Sequence, residues 1–272
     1  MTSRSHCEEQ YKAVSNRGIS GIGATRTNLH RLLRSIDFVG WSTHEESGRL
    51  DRRALTRFAS GSANIFSRRT MTESETSAVS ILIDCSGSMD SGRTPETSRI
   101  AIAQQIAIHL SKLLQQARVP FSVTGFQSRE VGMRAVSVGN DEVYYESPTF
   151  IPFKQWGKSL QSCIAEMGAI NLTAQGGTPD YTALVNAIND LHGRTENRKI
   201  LFVLTDASSY SVSHMEHVQK MADKFGITII AIGIGKTDVT RCFINAVDVG
   251  NIEDLASTSF NQLLKAVERK RK

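Results

Sequence analysis

The sequence predicts an α/β fold in which helices flank a doubly wound, mainly parallel sheet of six strands. From residue 78 onward, apolar runs of strand length alternate with segments of helical periodicity, as in β-α units. The runs 199–205 (KILFVLT) and 228–234 (TIIAIGI) are apolar throughout, which indicates strands buried on both faces of a sheet. Residues 1–76 lack this pattern, so we predict that they form a short N-terminal extension of a domain at residues 77–272.

The predicted elements follow one another in a regular order. Strands are expected at 78–84, 121–126, 199–205, 228–234 and 246–249, with a short edge pair within 129–147. Helices are expected at 96–117, 158–167, 181–191, 214–225 and 252–268. The first of these helices carries apolar residues around most of its circumference, so it should be largely buried. Gly226 directly follows the fourth helix and is typical of a helix end.

The extension is rich in Ser, Gly and Arg. It contains one amphipathic segment at 29–36 (LHRLLRSI) and a weaker one at 51–58. We expect an arm that packs on the domain or on a partner, partly helical, with residues 1–24 mobile.

The composition is that of a globular chain able to bury a full core. Of its 272 residues, 40% are hydrophobic and 22% are charged. No run approaches the ~18 consecutive apolar residues of a membrane span, and the start MTSRSHCEEQYK lacks the apolar centre of a secretory signal. The four cysteines lie far apart without C-x-x-C spacing, so neither a zinc site nor a disulfide framework is indicated. We therefore expect a cytoplasmic protein without membrane contact.

The net charge of +5 is concentrated in the extension. Residues 1–76 contain 12 Lys or Arg against 8 Asp or Glu, and the remainder of the chain is nearly balanced. A modest excess of this kind is usually solvated surface, so nucleic-acid binding is not favoured.

A carboxylate and two hydroxyls directly follow the first predicted strand. They are Asp84, Ser86 and Ser88, in the segment Asp84-Cys85-Ser86-Gly87-Ser88. Ligands of open α/β sheets bind beyond the carboxyl ends of the strands, where the strand order reverses. Gly87 lets the loop curl so that both serine oxygens can face one point.

Two later segments carry matching chemistry. Thr178 lies in a tight loop at 176–180 (GGTPD), and Asp206 follows the buried strand 199–205. Oxygen ligands of this kind suit a hard cation, with Mg²⁺ favoured and Mn²⁺ or Ca²⁺ as alternatives. Asp180 is better interpreted as the N-cap of the following helix than as a ligand.

These residues together resemble the metal-ion-dependent adhesion site of von Willebrand factor A (VWA) domains. The shared features are D-x-S-x-S at 84–88, then Thr178 in a Gly-Gly-Thr loop, then Asp206 after a buried strand. The resemblance implies that Ser86 and Ser88 bind the metal directly and Thr178 directly or through water. It implies that Asp84 and Asp206 act largely through waters and hydrogen bonds. One metal position is then left open for an acidic side chain of a partner.

A narrower resemblance covers roughly residues 26–268. The segments 48–51 (GRLD), 176–179 (GGTP) and 231–235 (AIGIG), the last followed by DVTR at 238–241, are similar to the C-terminal part of the CobT subunit of aerobic cobaltochelatase. In that family the subunit pairs with an AAA+ ATPase subunit in a ring assembly, which drives a third, large subunit to insert cobalt into a corrin ring. The resemblance implies a docking and coupling subunit of a hetero-oligomer, with a role in cobalamin biosynthesis.

The chain departs from that family in two features. Its N-terminal region is short and mildly basic, whereas the family's is long and acidic. Ala207-Ser208-Ser209 follows Asp206 where a glycine is usual, so the loop beside the metal is expected to differ.

Three functions stay open from the sequence. The first is a metal site that docks an acidic residue of an ATPase or chelatase partner, and the second is a generic VWA module that binds an unrelated protein or RNA. The third, a metal-dependent hydrolase, has little support, because Ser86 and Ser88 do not lie in G-x-S-x-G. A nucleotide-binding P-loop at Lys236 would need glycine at position 230, which is Ile230. We therefore predict no catalytic residue in this chain.

Overall fold

The computed structural model describes residues 3–33, 35–52, 64–74, 77–92, 97–128, 134–138, 141–145, 147–208, 210–235 and 237–269. The helices are α1 (Arg4–Asn16), α2 (Ile22–Leu33), α3 (Arg99–Gln116), α4 (Ile164–Gly168), α5 (Asp180–His192), α6 (Val212–Lys224), α7 (Val239–Cys242) and α8 (Thr258–Arg269). The strands are β1 (Ser35–Glu45), β2 (Arg49–Leu50), β3 (Phe66–Ser74), β4 (Ser77–Asp84), β5 (Phe121–Gln127), β6 (Arg134–Val138), β7 (Asp141–Tyr145), β8 (Thr149–Lys154), β9 (Arg198–Thr205), β10 (Ile227–Ile234) and β11 (Ala246–Val249). Short 3₁₀ turns lie at Gly87–Asp90, Gln161–Cys163, Ile170–Leu172 and Ile252–Ala256.

The main sheet has six strands in the order β11-β10-β9-β4-β5-β8. Neighbouring strands are parallel except for β8, which runs antiparallel to β5. β4 is followed in the chain by β5 on one side and has β9 on its other side, so the strand order reverses between β4 and β9. The predicted α/β class and the mainly parallel six-stranded sheet are confirmed.

Both faces of the central strands are covered, which explains their apolar sequences. On β4, successive residues alternate between two core clusters: Ile81 packs in the cluster that includes residues of α3 and α8, and Leu82 in the one that includes residues of α5 and α6. Every residue of β4 is buried. The predicted burial of α3 is also confirmed, since twelve of its residues are buried.

The edge of the sheet differs from the prediction. The segment 129–147 does contain a strand pair, β6 and β7, but this pair forms a separate two-stranded sheet. The sixth strand of the main sheet is β8, which the sequence did not predict. β8 carries Pro152 and alternates in burial, and both features are typical of an edge strand and weaken a strand pattern. The predicted helix at 158–167 is also shorter, because a 3₁₀ turn precedes α4.

Residues 1–24, which were expected to be mobile, include a packed helix, α1. Cys7 and Tyr11 of α1 are buried, and the backbone of Cys7 lies directly against Gly168, where a Cβ would be 1.8 Å from the Cys7 carbonyl oxygen. Two hydrogen bonds connect α2 to the C-terminal part of the chain. Thr25 Oγ1 donates to the Leu255 carbonyl (2.6 Å), and Asn28 Nδ2 donates to Asn261 Oδ1 (2.7 Å). A helix with only two buried residues leaves too faint an apolar pattern to be recognised in a polar sequence.

The contacts divide the chain into two compact units, Met1–Leu33 with Ser77–Lys272 and Arg34–Thr76. The second unit contains an antiparallel sheet in the order β1-β3-β2. The first 33 residues thus belong with the large sheet, which differs from the predicted grouping of residues 1–76. The amphipathic segment 29–36 ends α2 and begins β1, and the weaker segment 51–58 lies mostly outside the described residues. In the described part of the chain, no helix combines the length and apolar character needed to cross a membrane.

Candidate metal site

The carboxyl ends of β4 and β9 meet at the point where the strand order reverses. Ile83 pairs with Leu204 in parallel register, so Asp84 and Thr205 come next on the two strands and Asp206 follows. In open α/β sheets this crevice is where ligands bind. The sheet therefore brings Asp84 and Asp206 to one edge, although 121 residues separate Asp84 from Thr205.

Asp84 forms the base of this crevice. Its side chain is fully buried and accepts hydrogen bonds from the Ser86 backbone N–H (2.9 Å) and from Thr205 Oγ1 (2.8 Å). Burial raises the pKa of Asp84 to about 6, even though the hydrogen bonds from Ser86 and Thr205 oppose the shift. A divalent cation nearby would favour the ionised carboxylate, because opposite charge compensates for lost hydration.

The two serines lie directly above Asp84. Ser86 is buried and Ser88 is half-buried at the start of a 3₁₀ turn, and their Oγ atoms are 3.1 Å apart. Ser208, from the loop after β9, donates from its Oγ to Ser88 Oγ (3.3 Å). Two hydroxyl oxygens thus face one another at the mouth of the crevice.

Backbone hydrogen bonds hold the Gly-Gly-Thr loop against the serine loop. Gln175 N–H donates to the Cys85 carbonyl (2.9 Å), and Gly87 N–H donates to the Gly176 carbonyl (3.0 Å). Gly176 has φ +76°, a conformation that side chains disfavour, and this explains the glycine there. Thr178 follows in the same loop and is half-buried.

The sequence predicted that Asp180 is the N-cap of α5, and the structure contradicts this prediction. Pro179 occupies that position, and Asp180 is the first helical residue, with its Oδ1 accepting from the Tyr181 backbone N–H (2.7 Å). A carboxylate in the first turn still complements the helix dipole.

Asp206 has a cationic neighbour that the sequence did not predict. Arg99 Nη1 donates to Asp206 Oδ2 at 2.6 Å, and the Asp206 side chain is only 1% exposed. The same Nη1 lies 3.5 Å from the Ser88 carbonyl oxygen. Arg99 is the first residue of α3 and belongs to no spacing motif, so nothing in the sequence linked it to a residue 107 positions away.

A cavity of about 530 Å³ opens beside this ion pair. It is lined by Arg99, Asp206, Ala207, Ser208, Gly235, Thr237, Asp238 and Asp248. Asp238 pairs with Arg241 at 3.6 Å on the exposed surface.

Ala207 adopts the backbone conformation that a glycine would favour. Its φ is +49°, and its N–H donates to Thr205 Oγ1 at 2.9 Å. The loop after Asp206 therefore keeps a left-handed residue without glycine, at a cost of roughly 1–2 kcal/mol.

The donor set fits a hard divalent cation. Asp84, Ser86, Ser88 and Asp206 offer only oxygen atoms, the ligands that Mg²⁺ and Ca²⁺ prefer. Among the described residues, no three His, Cys, Asp or Glu side chains form a metal-binding group, so a transition-metal site of the zinc type has no support. A buried carboxyl with a raised pKa behind two hydroxyls is an arrangement that a cation would stabilise.

Comparisons with known proteins agree with this architecture. A family model described as "Cobalamin biosynthesis protein CobT VWA domain" matches residues 65–268. No curated protein matches the sequence. Among solved structures, the PilB minor pilin from Streptococcus sanguinis has a TM-score of 0.50 at 16% identity, with 71% of this chain and 62% of the pilin covered. A von Willebrand factor type A protein from Catenulispora acidiphila has a TM-score of 0.47 at 17% identity, with 86% of this chain and 50% of that chain covered.

This chain spans less than two thirds of either solved structure. At 16% identity, the likeness to the pilin concerns the fold alone. The match to the family model is a match of sequence. It covers about three quarters of the chain, from β3, the strand before the main sheet, to α8, the last helix. This chain therefore belongs to the family of CobT VWA domains.

Proposed function

We propose that this chain is a non-catalytic docking and coupling subunit of a cobaltochelatase-like assembly in the cytoplasm. Asp84, Ser86, Ser88, Thr178 and Asp206 would hold a divalent cation, Mg²⁺ in the first place. The cation would accept an acidic side chain of an AAA+ ATPase subunit, and a large chelatase subunit would complete the hetero-oligomer. Membership of the CobT family supports the role in cobalamin biosynthesis.

The observation that carries the proposal is the pair of hydroxyls in front of a buried carboxyl. Ser86 Oγ and Ser88 Oγ lie 3.1 Å apart, and Asp84 is fully buried behind them. Neutral hydroxyls donate less charge to a metal than carboxylates do, so a cation held this way retains a strong attraction for an external carboxylate. When bound, the metal supplies this Lewis acidity and the chain's residues orient it.

The contacts of the serines favour binding over catalysis. A nucleophilic serine needs a base within hydrogen-bonding reach. Ser88 contacts the hydroxyls of Ser86 and Ser208 instead. The carboxylate that the Ser86 side chain contacts is Asp84, which already accepts from the Ser86 N–H and from Thr205 Oγ1.

The surroundings of the site suit a protein partner. Three apolar side chains are exposed near the loops that form the crevice: Leu172 (52%), Tyr181 (38%) and Val212 (49%). Leu172 precedes the Gly-Gly-Thr loop, Tyr181 follows it, and Val212 begins the helix after Asp206. Exposed apolar residues in segments that adjoin these loops are available for contact with a partner.

The test is capture of a purified AAA+ ATPase subunit of a cobaltochelatase by the immobilised chain, in Mg²⁺ and in EDTA. We expect Mg²⁺-dependent capture that Ser86→Ala and Asp84→Ala abolish. Ser80→Ala is the matched control, because Ser80 is a buried serine of β4, the strand that ends at Asp84, and its side chain bonds Ser122 instead. If capture is as strong in EDTA as in Mg²⁺ and Ser86→Ala does not change it, the docking mechanism is contradicted.

A further inference from the structure

The Asp206 carboxylate is already paired with a cationic side chain of the same chain. Arg99 Nη1 lies 2.6 Å from Asp206 Oδ2 and 3.5 Å from the backbone carbonyl oxygen of Ser88. The side chain of Ser88 is one of the proposed ligands. Arg99 Nε lies 3.7 Å from the position a Cβ would take on Gly235, so the arginine side chain extends along the backbone after β10. The guanidinium thus sits beside the proposed metal position.

We infer that Arg99 is a built-in counter-ion of the metal site, which neutralises Asp206 in the metal-free protein and thereby weakens divalent-cation binding. The inference rests on the proposed function, because it concerns the affinity of the same site. It goes further by assigning a residue outside the D-x-S-x-S, Gly-Gly-Thr and Asp segments to the control of that affinity.

The electrostatic reason is direct. The Asp206 side chain is 1% exposed, and a buried carboxylate without a counter-charge is strongly unfavourable. Arg99 supplies that charge when metal is absent. When metal is present, a second cation lies a few ångströms from the first, and like charges at that distance repel strongly in a partly buried site. Binding must therefore overcome the repulsion or displace the guanidinium.

The structure leaves room for such a displacement. The Arg99 side chain is 32% exposed and borders the cavity of about 530 Å³, whose lining includes Asp238 and Asp248. A guanidinium that leaves Asp206 would enter a space that still offers carboxylate neighbours. The movement therefore needs no rearrangement of the sheet.

The competing interpretation is a purely structural ion pair. In that case the loss of Arg99 would destabilise the fold but leave the metal affinity of the folded protein unchanged. Metal affinity itself is thus the discriminating readout.

The experiment measures Mn²⁺ binding by electron paramagnetic resonance and Mg²⁺ binding by calorimetry, on the full chain at low salt. Arg99→Gln removes the charge, and we expect it to bind either metal about tenfold more tightly or better. Arg99→Lys keeps the charge and is expected to stay within about threefold of the unmodified chain. Arg194→Gln is the matched control, because Arg194 is also 32% exposed and paired with an acid, Glu196, in the turn before β9, at the other end of that strand from Asp206.

A second measurement does not depend on the folding of a variant. The ¹⁵N NMR signal of the Arg99 side chain should shift when Mg²⁺ is added to the unmodified chain, whereas that of Arg194 should not. An unshifted Arg99 signal at saturating Mg²⁺ would count against displacement.

The outcomes separate the two proposals. If the unmodified chain binds metal and Arg99→Gln binds it equally or more weakly, the role of Arg99 is overturned and the metal site stands. If neither protein binds Mn²⁺ or Mg²⁺, both proposals fail. If only Arg99→Gln binds, the counter-ion role is supported in its strongest form.

Discussion

Thr205 Oγ1 donates a hydrogen bond to Asp84 Oδ2 across the junction of β4 and β9, at 2.8 Å. The same oxygen accepts the N–H of Ala207 at 2.9 Å. One buried hydroxyl therefore joins β4 to the loop that contains Asp206, and it also supports the left-handed backbone of Ala207. The geometry of the site depends on a residue that would not itself touch the metal.

Removal of this hydroxyl should destabilise the protein. Thr205→Val keeps the shape but leaves the buried Ala207 N–H and one oxygen of Asp84 without their partner, and each unmade bond of this kind costs about 1–3 kcal/mol. We expect a loss of about 2–3 kcal/mol in the free energy of unfolding, measured with urea in EDTA. Thr228→Val on half-buried Thr228 of β10 should change it by less than about 0.5 kcal/mol. Equal effects of the two substitutions would contradict the role assigned to Thr205.

Asp84→Asn should stabilise the metal-free protein at neutral pH. Burial raises the pKa of Asp84 from 3.8 to about 6, so the folded state holds this proton more tightly than the unfolded state. The corresponding stability is complete below pH 4 and is lost as the pH rises through 6, by about 3 kcal/mol in total. Asparagine cannot ionise, and it can still accept from the Ser86 N–H and donate to Thr205 Oγ1.

The measurement for Asp84→Asn is the difference in unfolding free energy between the variant and the unmodified chain, in EDTA, from pH 4 to 7.5. That difference should shift in favour of the variant by about 3 kcal/mol across this range. Added Mg²⁺ should raise the melting temperature of the unmodified chain at pH 7.5 but not that of the variant. A pH-independent difference would show that Asp84 ionises normally.

The sequence allowed the central strands, and the meeting of Asp84 and Asp206 at one edge of the sheet, to be predicted for one physical reason. Parallel strands buried on both faces are apolar throughout, so their ends are visible, and residues that directly follow them must lie at one edge of the sheet. Asp84 and Asp206 are of this kind. The pairing of Thr205 with Asp84 was not predictable, because it depends on the relative register of two strands 121 residues apart.

Other features left no comparable signal. Arg99 reaches Asp206 from the start of a helix, and no periodic pattern encodes where a long side chain extends. β8 alternates in burial and contains a proline, so its sequence resembles a loop. The backbone of α1 approaches Gly168 closely, and this approach depends on the absence of a side chain at Gly168.

Gly168→Ala should displace α1. A Cβ at Gly168 would lie 1.8 Å from the carbonyl oxygen of Cys7 and 2.6 Å from its carbon, and these backbone atoms cannot rotate away. We expect a loss of about 2–3 kcal/mol in unfolding free energy and faster proteolysis within Arg4–Asn16. In a chain that lacks residues 1–17, the same substitution should cost much less, because its clash partner is gone. An equal cost in both chains would place the damage elsewhere.

Two helix-terminal glycines should respond to alanine in opposite directions. Gly226 follows α6 with φ +67° and has no heavy atom within 4 Å of a Cβ position, so Gly226→Ala introduces only backbone strain. That strain should lower the free energy of unfolding by about 1 kcal/mol.

Gly193 ends α5 with φ −66°, and a Cβ there would make ordinary contacts at 3.6 and 3.8 Å. Gly193→Ala should therefore raise the free energy of unfolding by about 0.4–1 kcal/mol, because alanine restricts the unfolded chain without straining the folded one. Urea unfolding of both variants in one buffer gives the comparison. A loss at Gly193 as large as that at Gly226 would mean that lost glycine flexibility, and not the sign of φ, determines the cost.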